Sequence, residues 1–412
     1  MDPRLANLLR TILPTHRFYA RKFAGLALDD WAKLPFTTKD ELLASQAAHP
    51  PYGELLTYPQ ERYPRLHQTS GTQGTPLRWL DTPESWERML GSWRTMFDIV
   101  GVTAADRLLF AFSFGPFLGF WTAFEAASRM GCLCLAAGGL SSGARLRMLL
   151  DNRATVLLCT PTYALHLAQF AQEQRIDIRK SVRLIIVAGE PGGSIPATRA
   201  CIEEAWQARV LDHSGMTEIG PLAIECLPNP AGLHILEDDF VAEVIDPATG
   251  AVILPSPLRR RGGWGEGESG QLGELVLTNL GRVGSPLIRY RTGDLVRVDP
   301  SPCPCGRKLM RLAGGIIGRT DDMIAIRGNN VYPSAIENVI RRFAEVVEYR
   351  ITVDRRPALA EMRIEIEAAD ASLPSRIGDA IRDDLMFRAD VVQVAPGTLP
   401  RFEMKARRVR LM

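Results

Sequence analysis

Short apolar runs alternate with amphipathic stretches from residue 5 to about residue 240, and this alternation limits the fold more than any other feature of the chain. Short apolar runs indicate buried strands, and the stretches between them repeat apolar residues at helical spacing. The predicted strands are 107–112, 154–159, 184–187 and 209–211. The predicted helices are 83–100, 120–130, 142–152, 162–174 and 195–207. Such an order predicts a layered α/β domain.

The pattern changes after about residue 240, where strands joined by turns indicate a more antiparallel subdomain. Beyond residue 318 the order strand, helix, strand, strand, helix, strand predicts a compact α+β unit. A chain of 412 residues exceeds the size at which a single core keeps growing. We therefore expect a large N-terminal domain over residues 1–320 and a small mobile C-terminal domain over residues 321–412.

The composition is that of an ordinary globular protein and argues against several classes of function. Apolar residues make up 46% of the chain and charged residues 23%, and the formal net charge is +2. So small a charge gives no reason to expect nucleic-acid binding. Seven cysteines, an odd number without a signal peptide, favour a reducing, cytoplasmic environment. The apolar stretch 108–124 is short and interrupted by Pro, Gly and polar residues, so we expect no membrane span.

The segment Gln68-Thr-Ser-Gly-Thr-Gln-Gly-Thr-Pro76 concentrates hydroxyl side chains and glycines in one loop. Glycines let backbone N–H groups converge on an anion, and hydroxyl groups add further donors. No Lys-Ser or Lys-Thr follows the second glycine, so this is not a Walker loop. The loop predicts a phosphate-binding site, with a polar hairpin turn as the alternative. The candidate phosphate ligands are Thr69, Ser70, Gly71, Thr72 and Gly74.

Five further segments combine Gly or Pro with hydroxyl or charged residues. They are Ala188-Gly-Glu-Pro191, Ser214-Gly-Met-Thr-Glu218, Tyr290-Arg-Thr-Gly-Asp294, Gly318-Arg-Thr-Asp-Asp322 and Leu399-Pro-Arg-Phe-Glu-Met-Lys405. With the loop at 68–76, in this order and at these separations, they resemble the adenylate-forming enzymes: acyl-coenzyme A synthetases, luciferases and peptide-synthetase adenylation domains. Within that superfamily the chain is most similar to the phenylacetate-coenzyme A ligase family, whose opening segment also resembles Arg17-Phe-Tyr and Leu34-Pro-Phe-Thr-Thr-Lys39.

The resemblance implies that the chain activates a carboxylic acid with ATP. Displacement at the α-phosphate needs positioned donors, a cation and a metal anchor. By resemblance, Thr217 donates to the α-phosphate and Glu218 holds Mg²⁺, a cation that prefers oxygen ligands. The loop at 68–76 would wrap the β- and γ-phosphates. The other implied nucleotide contacts are Asp294 to the ribose hydroxyls, Arg319 to ribose and phosphate, and Asp212 with the backbone of Gly189, Glu190 and Pro191 to the adenine.

Lys405 is the leading catalytic candidate, because it stands in a segment similar to the family's terminal lysine loop. A lysine ammonium can bridge the attacking carboxylate and the α-phosphate oxygens in the transition state. The alternative is a basic solvated tail. Asp321 matches the family's hinge, where the small domain swivels between adenylation and thioester formation. A plain linker aspartate is the alternative there.

A second group of residues is independent of the nucleotide. Cys303 and Cys305 stand on one predicted tight turn, and Cys226 and His234 would span a turn between two strands. The four offer the Cys₃His set of a closed structural zinc site, although the spacing is not the common C-x₂-C. Some members of the family have a similar pattern and carry zinc. Buried free thiols are the alternative.

The acyl pocket is the part of the site that the sequence predicts least clearly. Aromatic residues cluster after a predicted strand, in a region that lines the acyl site of family members. They would suit a flat aryl acid, although an ordinary core explains them equally well. The residues assigned to this pocket are Phe112, Phe114, Phe117, Trp121 and Gly215.

The chain departs from the family pattern at several positions. Ser214 stands where the family usually has a tyrosine that stacks on adenine, and His213 is the nearest candidate to replace that ring. Thr75 replaces a lysine often seen in the phosphate loop, and Met404 replaces the glycine before the catalytic lysine. We therefore place His213 and Ser214 among the nucleotide contacts and expect altered rates.

The sequence thus predicts an AMP-forming ligase that joins an aromatic or other small carboxylic acid to coenzyme A. The implied cofactors are ATP, Mg²⁺, the thiol of coenzyme A or of phosphopantetheine, and a structural Zn²⁺. One alternative delivers the acyl group to a carrier protein, an amine or a hydroxyl. Another is a nucleotide-binding regulator whose catalytic role has decayed. A homodimer is a further possibility.

Overall fold

The computed structural model describes residues 2–69, 75–254, 270–326, 329–354, 361–402 and 405–412. In these ranges the α-helices are α1 Pro3–Ile12, α2 Arg17–Lys22, α3 Lys39–Ala48, α4 Pro83–Ile99, α5 Trp121–Arg129, α6 Ser142–Asp151, α7 Pro161–Glu173, α8 Pro196–Trp206, α9 Pro333–Ile340 and α10 Leu373–Leu385. The strands are β1 Arg65–Gln68, β2 Arg78–Asp81, β3 Arg107–Phe110, β4 Leu133–Ala136, β5 Val156–Cys159, β6 Leu184–Val187, β7 Arg209–Met216, β8 Gly220–Cys226, β9 Asn229–Ile235, β10 Phe240–Ile245, β11 Val252–Leu254, β12 Leu272–Asn279, β13 Tyr290–Asp299, β14 Arg311–Ala313, β15 Gly318–Arg319, β16 Ile324–Ile326, β17 Asn329–Val331, β18 Glu348–Asp354, β19 Glu361–Glu367, β20 Asp390–Val394 and β21 Val409–Leu411. None of these helices combines the length and apolarity that a membrane crossing requires.

Local signals explain where the central helices begin. The Thr82 hydroxyl accepts the Ser85 N–H at 3.2 Å, and Pro83 opens α4. Thr160 caps α7 in the same way, with Pro161 as its first residue. A hydroxyl cap satisfies an N–H that the helix itself leaves unpaired, and proline lacks an N–H to satisfy there. The predicted helices of this region therefore have nearly the observed bounds.

The chain divides into two compact units, and the first contains residues 1–106, 114–134 and 213–315. Its main sheet has the order β11-β10-β12-β13-β14-β9-β8, followed by the last residues of β7. Neighbouring strands in this sheet are antiparallel. The predicted antiparallel subdomain is confirmed. β1 and β2 form a separate antiparallel hairpin in this unit.

The second unit contains residues 107–113, 135–212 and 316–412. In it β3, β5, β6 and the first residues of β7 form a parallel sheet. Every residue of β5 and β6 is buried, because helices cover both faces of a parallel sheet. Side chains of α6, α7 and α8 complete this core. The carboxyl ends of these strands lie at one edge, the usual position of ligand sites in such sheets.

The C-terminal part of the second unit has a four-stranded sheet of its own, in the order β20-β19-β18-β21. β18 and β19 are antiparallel, and the two outer pairs are parallel. Apolar residues of α9 and α10 form its core together with residues of these strands. β21, the last strand, was not predicted from the sequence. The α/β fold class is confirmed, and the domain boundary at residue 320 stays a prediction.

Candidate active site

Three segments follow the carboxyl ends of neighbouring parallel strands in the second unit. Residues 160–162 follow β5, residues 188–191 follow β6, and Asp212 stands on β7 paired with Val187. Asp212 is buried and accepts a hydrogen bond from the Ser194 hydroxyl. Two glycines make this arrangement possible, because a Cβ at Gly192 would collide with Pro161 and one at Gly193 with Asp212. The segment from 188 to 193 can therefore lie directly on its neighbours.

Lys405 lies at this edge of the second unit. A Cβ built at Gly189 would be 3.5 Å from Lys405 Cε, and Gly189 itself has a φ of 96° that favours glycine. The next residue, Ala406, donates its N–H to Glu190 Oε2 at 2.6 Å. Burial raises the pKa of Glu190, and the N–H donors of Thr162 and Ala406 oppose that rise. The structure thus brings together Lys405, Gly189 and Glu190, and Pro191 is exposed beside them.

Arg319 and Asp321, predicted as ribose contact and hinge, pair with each other in the same unit. Arg319 Nε and Asp321 Oδ1 are 2.9 Å apart, and both side chains are more than a third exposed. Exposed ion pairs contribute little to stability, typically about 0–1 kcal/mol. Such a pair can open at little cost.

In the first unit the base of the predicted phosphate loop is fixed by hydrogen bonds. Thr69 donates its N–H to the Leu77 carbonyl at 2.9 Å, and its hydroxyl accepts the Leu77 N–H at 3.0 Å. Gln68 donates its N–H to the Pro116 carbonyl at 2.7 Å. The loop's base is therefore attached to the aromatic segment at 114–121. The predicted ligands Ser70, Gly71, Thr72 and Gly74 lie outside the described residues.

Thr217 and Glu218 are buried beside these segments in the first unit. The Thr217 hydroxyl accepts the Leu118 N–H at 3.3 Å, and because a hydroxyl is also a donor it can still give its own hydrogen to a ligand. Tyr290 donates its hydroxyl hydrogen to Glu218 Oε1 at 3.0 Å. Among the described residues no Lys or Arg forms an ion pair with Glu218. Its charge is therefore available to a metal ion.

A buried ion pair supports the backbone at Thr217. Arg282 donates Nη1–H to the Thr217 carbonyl at 2.7 Å and binds the Asp81 carboxylate through two hydrogen bonds of 2.9 and 2.8 Å. Both side chains are almost completely buried. Burial is the largest single influence on Asp81 and acts to raise its pKa. The charge of Arg282 and the hydrogen bonds of the carboxylate act in the opposite direction, and the pKa is lowered overall. Breaking such a pair leaves an uncompensated buried charge, so Thr217 is held firmly.

Asp294 is buried in a bulge of β13. Its N–H donates to the Thr292 hydroxyl at 3.0 Å, and that hydroxyl donates to the Leu275 carbonyl at 2.7 Å. Gly293 has a φ of 75°, which a glycine adopts without strain. Bulges of this kind redirect a side chain and are common beside active sites.

The predicted acyl-pocket residues form an aromatic cluster in the first unit. Phe114 packs edge-on against Trp121 at 4.8 Å and against Phe124 at 5.4 Å between ring centroids. Trp121 is 37% exposed and donates Nε1–H to the Gly115 carbonyl at 3.2 Å. Phe117 is partly buried in the same segment, whereas Phe112 is a buried residue of the second unit. A partly exposed tryptophan packed against other aromatic rings is a surface suited to a flat apolar ligand.

His213 belongs to a second aromatic cluster. Its ring lies 4.4 Å from Trp93 and 6.3 Å from Phe120 between centroids, and its Nδ1–H donates to the Ala223 carbonyl at 2.9 Å. Burial lowers the pKa of His213 to about 4, so the ring is neutral at pH 7. Ser214 is partly buried and Gly215 is exposed; a Cβ at Gly215 would lie 2.9 Å from the Gly220 carbonyl oxygen. Only glycine fits there without displacing the backbone.

Cys226, His234, Cys303 and Cys305 come together in the first unit. One ligand atom of each lies within 4.8 Å of all the others. Cys226 Sγ and Cys303 Sγ are 3.6 Å apart, as are Cys305 Sγ and His234 Nε2. Zn–S bonds of about 2.3 Å at tetrahedral angles separate two sulfurs by roughly 3.8 Å. The four side chains therefore have the ligand types and spacing of a closed zinc site.

Comparison with known proteins shows the family to which the chain belongs. Residues 328–410 match the family described as "AMP-binding enzyme C-terminal domain". The phenylacetate-coenzyme A ligase of Pseudomonas putida is 33% identical over 393 residues, which cover 92% of this chain and 84% of that protein. The chain belongs to the phenylacetate-coenzyme A ligase family of adenylate-forming enzymes.

Solved structures agree with the membership in this ligase family. A 2-hydroxyisobutyryl-CoA ligase in its postadenylation state, in complex with 2-HIB-AMP, has a TM-score of 0.90 and 29% identity, covering 99% of this chain and 88% of the other. The same enzyme in complex with 2-HIB-AMP and CoA in the thioesterification state has a TM-score of 0.71, 30% identity and the same coverages.

Sequence reasoning missed several residues that contact the predicted site residues. Tyr290 stands inside a quoted motif, but only the contact to Glu218 reveals what it does. Thr162 follows a buried strand and a Thr-Pro cap, a pattern that could have marked it. Arg282 and Trp93 carry no local signal, because their contacts depend on the fold of distant segments.

Proposed function

We propose that this member of the phenylacetate-coenzyme A ligase family is an ATP-dependent, AMP-forming ligase for an aromatic or other small carboxylic acid. It forms an acyl-adenylate and then a thioester with coenzyme A. The observation that carries the proposal is the close approach of Lys405 to the Gly189–Glu190 segment at the carboxyl edge of the parallel strands. An ammonium group at such an edge can stabilise the negative charge that grows on an α-phosphate.

The other residues have matching chemistry. Thr217 keeps a hydroxyl hydrogen that it can donate to a phosphate oxygen. Glu218 would hold Mg²⁺, which neutralises phosphate charge when bound, and Tyr290 fixes the orientation of that carboxylate. Asp294 would accept hydrogen bonds from the ribose. Thr69 would open the phosphate loop.

The aromatic cluster supports an aryl acid as substrate. Phe114 and Trp121 offer an edge and a face to a flat ring. A pocket for a long-chain acid would be lined by aliphatic side chains, whereas this segment is mainly aromatic. The relatives that carry the name phenylacetate-coenzyme A ligase favour the same class of acid. The acid itself stays a proposal.

Coenzyme A is the acceptor that the family favours. A carrier-protein arm presents the same thiol, and an amine or a hydroxyl would need a different second step. A decayed regulator is disfavoured, since Lys405, Glu218 and Asp294 are all retained. We further propose that Cys226, His234, Cys303 and Cys305 bind a structural zinc ion, which would hold β8, β9 and the turn at 303–306 together.

The test is pyrophosphate release measured against a panel of aryl, short and long-chain acids, with and without coenzyme A. We expect release with an aryl acid and thioester formation only when coenzyme A is present. If no acid in the panel supports pyrophosphate release, the ligase activity is refuted. Preference for a long-chain acid would refute the aromatic pocket. Acyl-adenylate that accumulates but never reacts with coenzyme A would favour another acceptor.

A further inference from the structure

We propose that the Glu190 side chain is the positioning residue that holds Lys405 for adenylation. The inference rests on the proposed function of Lys405. The sequence motif assigned Glu190 to the adenine through its backbone. The structure instead aims its carboxylate at the peptide that follows the lysine.

The carboxylate connects two segments that are distant in sequence. Glu190 Oε1 accepts the Thr162 N–H at 2.9 Å, at the start of α7, and Oε2 accepts the Ala406 N–H at 2.6 Å. A hydrogen bond to a charged acceptor is roughly twice as strong as one between neutral groups. Lys405 is thus next to a peptide that is fixed to the edge of the parallel sheet.

Arg408 fixes the same segment a second time. It is buried, and it binds the Glu348 carboxylate through Nε and Nη2 at 2.6 and 3.1 Å. Its Nη1 donates to the Thr162 hydroxyl at 3.2 Å, so Thr162 contacts both attachments. The following strand β21 pairs in parallel with β18. Lys405 is exposed, so the anchored backbone on its C-terminal side limits where its ammonium group can lie.

A change from carboxylate to amide tests this role with little change of shape. In Glu190→Gln one oxygen becomes an NH₂ donor, which cannot accept from either Thr162 or Ala406, so one attachment is lost in any orientation. The backbone of residue 190 is unchanged, so a role in adenine binding through the backbone would survive. We expect kcat for pyrophosphate release to fall about tenfold to a hundredfold, from the worth of a hydrogen bond to a charged group.

The same variant should leave other steps intact. The KM for ATP and the transfer from preformed acyl-adenylate to coenzyme A should stay within about twofold of wild type, because neither uses the anchored lysine. Glu204→Gln, the same chemical change on an exposed face of α8, is the matched control and should alter nothing. A loss of kcat equal in both half-reactions, or a rise in the KM for ATP alone, would overturn the proposal.

A double-mutant cycle distinguishes positioning from an independent effect. If Glu190 acts through Lys405, Glu190→Gln should cost nothing further in a Lys405→Ala background, whereas separate contributions would multiply. Multiplication would overturn the proposal. Glu190→Asp, which retains the charge but retracts it, should reproduce the selective loss if the amide variant fails to fold.

Amide hydrogen exchange gives a readout that needs no substrate. In the wild type the Ala406 amide should be protected, and Glu190→Ala, which removes both acceptor oxygens, should accelerate its exchange about tenfold or more relative to the amides of β21. Unchanged exchange at Ala406 would overturn the anchoring role even in an active enzyme. Faster exchange in a protein that adenylates no acid would support the anchor while refuting the proposed function, so the two failures are separable.

Discussion

The hydrogen bond from Tyr290 to Glu218 makes the sharpest prediction about the metal. Tyr290→Phe removes one hydroxyl from a buried ring and leaves the ring in place. The bond joins a phenol to a buried carboxylate at 3.0 Å, and a hydrogen bond to a charged group is worth about 1.5–3 kcal/mol. At about 1.4 kcal/mol per factor of ten, its loss should weaken the Mg²⁺-dependent step about tenfold to a hundredfold, in the range found when residues that orient metal ligands are removed.

The assay is pyrophosphate release as a function of Mg²⁺ at saturating acid. We expect the half-saturating Mg²⁺ concentration to rise, and added Mg²⁺ to recover part of the lost rate. Tyr52→Phe is a suitable control, because the Tyr52 hydroxyl makes no hydrogen bond to another described residue. An unchanged Mg²⁺ dependence in Tyr290→Phe would refute the reasoning that this hydroxyl orients a metal ligand.

Three further predictions address the lysine, the zinc site and a buried histidine. Lys405→Ala should lose about a hundredfold or more in pyrophosphate release but convert preformed acyl-adenylate to thioester at a near-normal rate, and Asp321→Pro should do the reverse; equal losses in both steps would refute two separate states. Protein purified without added metal should contain about one zinc per chain, and Cys303→Ser should lose it and lower the melting temperature; an unchanged melting curve would contradict a structural metal. His213 has a folded-state pKa of about 4 against 6.5 unfolded, so the unfolded chain binds more protons between these values and stability falls as pH drops from 7 to 5, by about 2 kcal/mol for this group. In His213→Asn, whose amide can still donate to Ala223, the free energy of unfolding measured in urea should fall by that much less over the same range; an identical pH dependence would place the histidine outside the core.

Local chemistry made the elements of the parallel sheet predictable from the sequence. The segments 156–159 and 184–187 are wholly apolar, and each is followed by a helix that starts at a proline, so their type and bounds follow from short-range signals. β21 has no such signal. It consists of Val409, Arg410 and Leu411, one arginine between two apolar residues, and it forms a strand because it pairs with the edge of β18.

The candidate zinc site shows how much of a metal site the spacing of residues in the sequence can predict. The tight turn at Cys303 and Cys305 is visible in the sequence, and in the structure the Gly306 N–H closes it on the Cys303 carbonyl at 2.9 Å. The approach of His234 depends on the pairing of β14 with β9, which sets His234 opposite Arg311. Sheet register is a long-range property, so the sequence could suggest the four ligands but not their distances.

The contact between Lys405 and Gly189 could not have been predicted from local pattern either. The two motifs are far apart in sequence, and each was recognised only by its resemblance to a family motif. Their contact requires the parallel sheet to bring residues 188–191 to one edge and the pairing of β21 with β18 to hold the end of the chain. Tertiary contacts of this kind decide a side chain's role after the motif has only suggested its position.

Charge compensation separates the roles of the two motif glutamates. Burial raises the pKa of Glu190, and the hydrogen bonds from Thr162 and Ala406 and the positive charge of Arg408 act in the opposite direction; both of its oxygens are engaged by backbone N–H groups within the protein. Buried carboxylates elsewhere, such as Asp81 and Glu243, each pair with a buried arginine. Glu218 is also buried, yet among the described residues its hydrogen-bond donor is the neutral phenol of Tyr290. A buried carboxylate without a cation is costly, and a bound Mg²⁺ would remove that cost. A glutamate in one motif can therefore anchor a loop, whereas a glutamate in another has the surroundings of a metal ligand. The difference lies in the partners of the side chain rather than in the motif.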